Sequence, residues 1–314
     1  MENLIFSLNA TIPVFLLMVL GFLFRKLNVI DEVFAFKMNK FVFTIALPVL
    51  VFEDLATVNF SQIWNLRFLL FCLGATILSI ALSAALSLIW KDKSIKGEFI
   101  QASYRSSAAL LGIAFIQNMY GNSGMAPLMI IGSVPLYNIM AVVILSIFNP
   151  QHPGIDKAVI KRTLKGILTN PIIIGIALGI LWSVLRIPMP HILEKTVSHV
   201  GNLATPMGLM AMGATFDFQK AFKRIRPSVT AAFIKLMGLT ALFLPLAISL
   251  GFRQEELIAI LVMLSSATTV SCFVMAKNMG HEGTLSSSVI MLTTLFSAFT
   301  LTGWIYLLRS LGLI

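Results

Sequence analysis

The sequence predicts an all-helical membrane protein with ten transmembrane helices, built as two five-helix halves of opposite orientation. Three observations predict this fold class. Of the 314 residues, 58% are hydrophobic and only 11% are charged, whereas a soluble domain is about half apolar and about a quarter charged. Apolar runs of about 20 residues, the length that crosses about 30 Å of hydrocarbon, recur along the whole chain. The two halves also share three short motifs in the same order.

The apolar runs, taken as helices 1 to 10, leave no stretch of the chain long enough for a separate soluble domain. The longest polar connection, 149–165, separates a first half, 1–148, from a second half, 166–314. The expected spans are 5–24, 36–56, 67–90, 98–119, 124–148, 166–186, 192–214, 228–250, 255–277 and 285–309.

The distribution of Lys and Arg predicts the orientation of these helices. Most of the basic residues fall in or beside the connections that follow helices 1, 3, 5, 7 and 9, and cytoplasmic loops carry an excess of such residues. We therefore expect a multi-pass protein of the cell membrane with both termini outside the cytoplasm. The net charge of +10 is then a signal of topology, so the expected partner of the surface is the lipid bilayer and not nucleic acid.

The internal repeat is the observation that points to a class of function. Each half contains two prolines that are 35 residues apart. They are Pro13 and Pro48 in the first half and Pro171 and Pro206 in the second. Because each half has an odd number of helices, the second copy enters the membrane inverted, which is typical of secondary transporters. The matching segments are TIPVFLLMVLG (11–21) with TNPIIIGIALG (169–179), IALP (45–48) with LATP (203–206), and SSAALLGIAFIQNMYG (106–121) with SSATTVSCFVMAKNMG (265–280).

Helices 4 and 9 are the expected place for a binding site. In inverted-repeat transporters the site lies near the middle of the membrane and is built from interrupted helices. Unwound backbone at that depth needs donors and acceptors from the protein or from a water-filled cavity, and hydroxyl side chains supply them. The clustered hydroxyls of these two helices are Ser103, Ser106, Ser107, Ser265, Ser266, Thr268, Thr269 and Ser271.

Arg105 is the candidate residue for binding an anion. An arginine near the centre of the bilayer costs at least about 2.5 kcal/mol, so such a residue normally faces a cavity or a partner. Its planar guanidinium can bind a carboxylate through two hydrogen bonds, and the N-terminus of a half-helix would add positive potential. Two alternatives stay open, in which Arg105 extends to the cytoplasmic interface or pairs with Glu98.

Other polar residues and prolines in the spans have both a structural and a functional interpretation. Asn138, midway along helix 5, is expected to contact the ligand or to hydrogen-bond a neighbouring helix. Asn118 and Asn278 recur near the ends of helices 4 and 9, where they gate the crossover or cap a helix. Pro48 and Pro206 are expected to kink helices 2 and 7.

The remaining charged residues are expected to lie outside the site. Lys235, in helix 8, is expected to extend its ammonium to the membrane interface. The acidic residues sit at helix ends or in loops, including Glu53 and Asp54 at the outer end of helix 2. Since proton-driven antiporters generally need a titratable group in the path, this placement favours a uniporter or a gradient-driven exchanger. Sodium coupling through hydroxyls and backbone carbonyls stays open.

The sequence favours a carrier over three other classes of protein, namely a membrane enzyme, a channel and an ATP-driven pump. The segment GNSG (121–124) matches a pattern of intramembrane serine proteases, with Ser123 as nucleophile and His199 on the same side, but a tight connection explains it equally. A channel would show no matching halves and needs a ring of like charges. No nucleotide-binding motif is present. Neither Cys72 nor Cys272 has metal-ligand spacing around it, so no cofactor or metal is expected.

Several segments together resemble the auxin efflux carrier family, of the wider group that includes the bile-acid/sodium symporters. They are the paired prolines of helices 2 and 7, PLYNIMAVVIL (135–145) and FVMAKNMG (273–280). The resemblance implies a scaffold domain of helices 1, 2, 6 and 7 and a transport domain of helices 3–5 and 8–10, with a homodimer through the scaffold. Gly112 and serines stand where members commonly have proline.

The resemblance and the residues together predict a carrier of a small organic anion that works by an elevator movement. The anion is a mono- or dicarboxylate, either auxin-like or similar to malate or malonate. A sodium-coupled symporter on the same fold is the alternative, and an intramembrane hydrolase is the alternative from another class. The expected substrate-binding residues are Arg105, Ser106, Ser107, Asn138, Ser265, Ser266, Thr268 and Thr269. The expected crossover or gating residues are Gly112, Asn118, Ser271, Asn278, Pro48 and Pro206.

Overall fold

The computed structural model describes residues 2–56, 65–108, 116–117, 119–120, 124–149 and 165–314. Within these ranges all regular secondary structure is helical. Five of the helices are long and apolar enough to cross a membrane, which makes the chain a multi-pass, all-α membrane protein. They are Glu32–Ala56, Leu66–Ile89, Ala126–Ile147, Ile225–Ser249 and Thr284–Ser310.

The helices are numbered here in chain order. Three of them, α2, α3 and α10, include a turn of π or 3₁₀ geometry within a continuous helical segment. They are α1 (Glu2–Lys26), α2 (Glu32–Ala56), α3 (Leu66–Ile89), α4 (Lys96–Tyr104), α5 (Ala126–Ile147), α6 (Pro171–Val184), α7 (His191–Gly201), α8 (Ala204–Ala214), α9 (Phe218–Lys223), α10 (Ile225–Ser249), α11 (Gln254–Ser265), α12 (Ser271–Asn278) and α13 (Thr284–Ser310).

Three of the expected spans are interrupted. The span at 192–214 is two helices, α7 and α8, and the span at 255–277 is α11 and α12. The span at 98–119 begins as α4 and loses helical geometry at residues 105–107. Two of the residues expected at the crossover, Gly112 and Asn118, lie outside the described residues.

Pro48 and Pro206 both lie just after an irregularity in the helix. In α2 a π turn, Val42–Ala46, precedes Pro48, and the backbone N–H of Leu47 bonds the carbonyl of Val42. A widened turn of this kind accommodates a residue that has no N–H to donate. Pro206 is the third residue of α8, where the backbone N–H has no helical acceptor in any case. Pro48 and Pro206 therefore lie in different backbone settings, after a π turn and in the first turn of a helix.

The closest helix packing joins α1 to α8 and α2 to α6. A Cβ atom at Gly213 would come within 2.0 Å of the Met18 carbonyl oxygen, and one at Gly175 within 2.4 Å of the Pro48 oxygen. Small residues let helix backbones approach this closely, and such contacts drive helix association in lipid. Helices 1, 2, 6 and 7 of the sequence prediction are thus joined backbone to backbone.

Side-chain contacts join the segments that connect the helices, at each of the two ends of the helix bundle. At one end Arg224 pairs with Asp92 and Glu282, and Lys220 lies 3.6 Å from Glu282. These residues belong to connections that the charge distribution predicts to be cytoplasmic. At the other end Asn65 donates a 2.7 Å hydrogen bond to Glu256, in connections expected on the opposite side.

Candidate functional site

Two interrupted helices meet where α4 and α11 end. Arg105, directly after α4, and Ser266, directly after α11, both have extended backbone, with φ of −70° and ψ of 139° and 160°. The two extended segments touch, since the Ser107 N–H donates a 2.9 Å hydrogen bond to the Ala267 carbonyl. The hydroxyls of Ser106 and Ser266 are hydrogen-bonded to each other. The serine pair Ser106–Ser107 is therefore bonded to the segment that contains Ser266 and Ala267.

Polar side chains satisfy the backbone groups that these interruptions leave free. The Thr268 hydroxyl donates to the Ala102 carbonyl of α4 at 2.9 Å. The Lys235 ammonium, from the π turn of α10, donates to the carbonyls of Met263 (3.3 Å) and Leu264 (2.6 Å) in the last turn of α11. Buried carbonyls at a helix end need such donors, which explains why this apolar region is rich in hydroxyls.

A cavity of about 60 Å³ lies beside the crossing. At about 10–15 Å³ for each water, this is room for four to six water molecules or for a ligand of similar size. Apolar residues of α2, α5, α6 and α8 form part of its wall. The polar and charged residues of its lining are Asp54, Arg105, Ser106, Ser107, Tyr137, Asn138, Thr205, Thr269 and Ser271.

Arg105 reaches this cavity with a guanidinium that has only neutral partners. Its side chain is 1% exposed. Nη2 donates to Oδ1 of Asn138 at 2.8 Å and to Oγ of Ser271 at 2.6 Å, while Nη1 contacts the sulfur of Met275 at 2.9 Å. The Nε–H finds no acceptor among the described residues. The group therefore keeps both an uncompensated charge and a free donor.

Both structural interpretations of Arg105 are wrong. Its burial excludes an extended conformation that reaches the interface. Glu98 instead accepts hydrogen bonds from the backbone N–H groups of Gly283 and Ser286, each at 2.9 Å, and so caps the N-terminus of α13. In the described ranges no carboxylate lies within ion-pair distance of Arg105. Since a buried charge is costly unless it is paired, this arrangement is suited to an anion that comes from outside the chain.

The N-terminus of α12 adds positive potential at the same place. Thr269, Val270 and Ser271, the residues that lead into α12, line the cavity. The N–H groups of Cys272 and Phe273 already donate to the carbonyls of Thr269 and Val270, and the helix dipole favours negative charge at this terminus. The Ser271 hydroxyl also accepts a hydrogen bond from Arg105, so the guanidinium and the helix terminus are held together.

Asn138 combines the two roles that its position allows. Its Nδ2 donates to the Val134 carbonyl of its own helix at 3.0 Å, which leaves Oδ1 to accept from Arg105. It also lines the cavity. Next to it, the Tyr104 hydroxyl donates to the Tyr137 carbonyl at 3.2 Å. These contacts hold the end of α4 against α5 and fix the direction in which Arg105 points.

The remaining expected site residues divide between the cavity and its surroundings. Ser106, Ser107, Thr269 and Ser271 line the cavity, whereas Ser265, Ser266 and Thr268 are buried outside its lining. Ser266 and Thr268 instead bond Ser106 and the Ala102 carbonyl, as described above. Asn278 donates to the Val274 carbonyl at 2.8 Å in the last turn of α12, which is a capping contact. Pro48 and Pro206 adjoin the lining residues Leu47 and Thr205.

Two polar residues lie elsewhere than sequence reasoning placed them. Asp54 lines the cavity, although its place at the end of helix 2 suggested that it lies away from the site. The missed signal is helical spacing, because Leu47, Leu50, Val51 and Asp54 lie on one face of α2. The expectation that the Lys235 ammonium extends to the interface is also wrong. That side chain is 0% exposed, because the end of α11 offers it two carbonyls inside the protein.

The all-helical membrane fold and a buried cationic site beside interrupted helices define a membrane transport protein. The chain belongs to the family described as "Membrane transport protein", whose profile matches residues 6–305, and its resemblance to the auxin efflux carriers is confirmed. One relative, the "Putative malonate transporter" of Rhizobium meliloti, is 27% identical over 95% of both chains. An "Uncharacterized transporter" of Methanothermobacter thermautotrophicus is 21% identical over 95% of this chain and 97% of its own.

Proposed function

We propose that this chain is a secondary transporter of a small organic anion whose carboxylate binds Arg105. The observation that carries the proposal is a buried guanidinium that lines a cavity with only neutral hydrogen-bond partners. A carboxylate in the cavity supplies the missing charge. It also accepts from the free Nε–H. Charge-assisted hydrogen bonds of this kind are about twice as strong as neutral ones.

The polar lining of the cavity favours a small mono- or dicarboxylate. Hydroxyl, amide and guanidinium groups of Ser106, Ser107, Thr205, Asn138 and Arg105 line it, and such groups donate hydrogen bonds to carboxylate oxygens. The name of the relative from Rhizobium meliloti refers to malonate, which supports the same substrate class.

The proposed mechanism is an elevator movement of helices 3–5 and 8–10 against a scaffold of helices 1, 2, 6 and 7. In this proposal the two halves, 1–148 and 166–314, are inverted repeats joined by the cytoplasmic linker 149–165. The close glycine-mediated packing of α1 with α8 and of α2 with α6 supports a rigid scaffold. Among the described residues, the partners of Arg105 come from α4, α5 and α12, so the part of the site that surrounds Arg105 can move as one unit.

The cavity itself lies between the two proposed groups of helices. Its wall combines Leu50 and Ala204 from the scaffold with Arg105 and Asn138 from the mobile group. Movement of the mobile group would carry a bound anion away from α2 and open the site toward the other side. A homodimer through the scaffold helices and both termini outside the cytoplasm complete this proposal.

The position of Lys235 favours a sodium-independent carrier over the sodium-coupled alternative. Sodium binds oxygen ligands, and the carbonyls at the end of α11 are the type of ligand that an interrupted helix offers. Here the Lys235 ammonium already donates to the carbonyls of Met263 and Leu264. A sodium ion at these oxygens would compete with a cation that belongs to the chain.

Thermal stabilisation by ligands tests the proposal. Purified wild-type protein, Arg105→Gln and a control, Arg226→Gln, are heated with malonate, malate, acetate or neutral amides of the same size. A ligand at 100 times its dissociation constant stabilises the folded state by about 2.7 kcal/mol. We expect carboxylates to stabilise the wild type and the control, whose substituted side chain is exposed, but not Arg105→Gln.

Uptake of labelled malonate into proteoliposomes should show the same pattern. The loss of ligand binding and uptake by Arg105→Gln supports the proposal only if the variant without ligand still melts as a folded protein. Equal stabilisation of Arg105→Gln and wild type by carboxylates would falsify the assignment of Arg105. Stabilisation by sodium together with a neutral amphiphile, and not by carboxylates, would replace the proposal with the sodium-coupled alternative.

A further inference from the structure

We infer that a dicarboxylate enters this site together with one proton, which is held between the far carboxyl group of the ligand and the side chain of Asp54. The inference rests on the proposed function, because it assumes that the near carboxylate of the ligand binds Arg105. It adds a second recognition residue and a definite protonation state of the ligand.

The first observation is that Asp54 and Arg105 line the same small cavity. Asp54 comes from α2 and Arg105 from the interruption after α4, and both line the cavity of about 60 Å³. Neither residue forms an ion pair with the other. A dicarboxylate in this cavity that binds Arg105 through one carboxylate can present its other carboxyl group to Asp54.

The second observation is that the side chains of Glu53 and Asp54, which are adjacent in sequence, point to different places. Glu53 points away from the cavity, since a Cβ atom on Gly201 of the packed helix α7 would lie 3.1 Å from Glu53 Oε2. Glu53 is absent from the cavity lining, whereas Asp54 is part of it. Glu53 and Asp54 therefore point in different directions from α2, and of these two residues Asp54 faces the site.

Among the described residues, Asp54 is the acidic residue that lines the cavity. On the helices packed against α2, α5 presents Tyr137 to the cavity, and α6 and α8 carry no charged residue. The titratable residues of α7 are exposed at the surface. In the described part of the chain, the charged and titratable groups that face Asp54 or adjoin it are Glu53, Arg105 and Tyr137.

A cation and a carboxyl group on the wall of one cavity select a particular kind of ligand. Two carboxylates that share a site cannot both stay ionised, so they hold one proton between them. The complex of a dianion therefore takes up one proton from solvent when it forms and returns it when the ligand leaves. A hydroxy acid needs no such proton, because its hydroxyl donates directly to the Asp54 carboxylate.

Proton uptake on binding is the measurement that tests this inference. Isothermal titration calorimetry in buffers of different ionisation enthalpy gives the number of protons taken up by the full-length protein. The ligands are malonate and 3-hydroxypropanoate, which carries one carboxylate and one hydroxyl. We expect one proton with malonate and none with 3-hydroxypropanoate. At pH values where free malonate and the Asp54 carboxyl group of the empty site are both ionised, each unit of increase in pH should then raise the malonate dissociation constant about tenfold.

Two variants separate Asp54 from its neighbour. Asp54→Asn keeps a hydrogen-bond donor at the far end but cannot titrate, so it should bind malonate with no proton uptake and no such pH dependence. Glu53→Gln, the control, should still take up one proton. Binding of 3-hydroxypropanoate by Asp54→Asn shows that its site is intact. If this variant does not fold, the comparison of the two ligands on the wild type decides alone.

The outcomes keep the inference apart from the proposed function. Malonate binding by the wild type without proton uptake overturns the inference and leaves the carboxylate carrier in place. One proton taken up by Asp54→Asn also overturns it, because another group then holds the proton. If neither acid binds the wild type at any pH, the proposed function itself fails.

Discussion

The ammonium of Lys235 lies 2.6 Å from the carbonyl oxygen of Leu264, at the end of an interrupted helix. A second carbonyl, that of Met263, lies 3.3 Å away. The two oxygens belong to the last turn of α11, where no backbone N–H continues the helix. A lysine from a neighbouring helix therefore ends the hydrogen-bond pattern of α11 inside the protein.

Removal of this ammonium should destabilise the fold. Lys235→Met keeps an apolar side chain of similar length but leaves two buried carbonyls without their donor. Each unsatisfied group costs about 1–3 kcal/mol, so we expect a clearly lower melting temperature. Lys223→Met, in which the substituted side chain is exposed, is the control and should melt like the wild type. An unchanged melting temperature for Lys235→Met would show that water replaces the ammonium.

Glu98 provides a second test of buried capping. Both of its carboxylate oxygens accept backbone N–H groups at the start of α13, from Gly283 and Ser286. Glu98→Ala leaves these donors unpaired and should cost about 1–2 kcal/mol of stability. Glu98→Gln retains one acceptor oxygen and should lose less. Chemical denaturation in detergent measures the difference, and equal losses for the two variants would contradict the capping role.

Gly213 tests the tight contact between α1 and α8. An alanine there would place Cβ within 2.0 Å of the Met18 carbonyl oxygen, so the two backbones must separate. We expect Gly213→Ala to lose about 1–3 kcal/mol. Gly74→Ala is the matched control in α3, since nothing lies within 4 Å of its added Cβ, and it should be neutral or stabilising by up to about 1 kcal/mol. Similar melting temperatures for both variants would contradict the close packing.

Asp92 gives a pH-dependent contribution at one end of the bundle. Hydrogen bonds from Ser94 and the ion pair with Arg224 lower the pKa of the Asp92 carboxyl group. Because the pKa is lower in the folded state, the stabilisation is present above the ordinary aspartate pKa and is lost as the pH falls through the folded value. Both side chains are partly exposed, so the effect is about 1 kcal/mol at most.

Melting temperatures of wild type and Asp92→Asn at several pH values measure this contribution. The wild type should be the more stable protein near neutral pH, and the difference should shrink as the solution becomes acidic. A difference that grows on acidification would contradict the direction of the pKa change.

The sequence predicts those parts of the site that depend on local pattern and on the repeat. The paired serine motifs indicate where the two helices are interrupted, and the structure shows Ser106 and Ser266 in contact there. The cost of a buried arginine indicates that Arg105 faces a cavity or a partner, and its partners are Asn138 and Ser271. Both predictions need only helix spacing and the cost of burying polar groups.

The rest depends on tertiary packing, which a single sequence does not specify. Asp54 faces the cavity because α2 is oriented by its contacts with α6 and α7, and a position near a helix end does not reveal this. Lys235 has acceptors inside the protein only because α11 ends next to it. Gly112 and Asn118 lie outside the described residues, so their expected roles stay predictions.

The isolated charge of Arg105 also has an electrical consequence. A unit charge that crosses the full membrane potential changes in energy by about 2.3 kcal/mol per 100 mV. In the proposed elevator movement, an empty site that carries the guanidinium through the membrane would feel this voltage, whereas a bound monoanion would cancel that charge. Voltage would then act on the return of the empty carrier and leave the passage of the Arg105–anion pair unaffected.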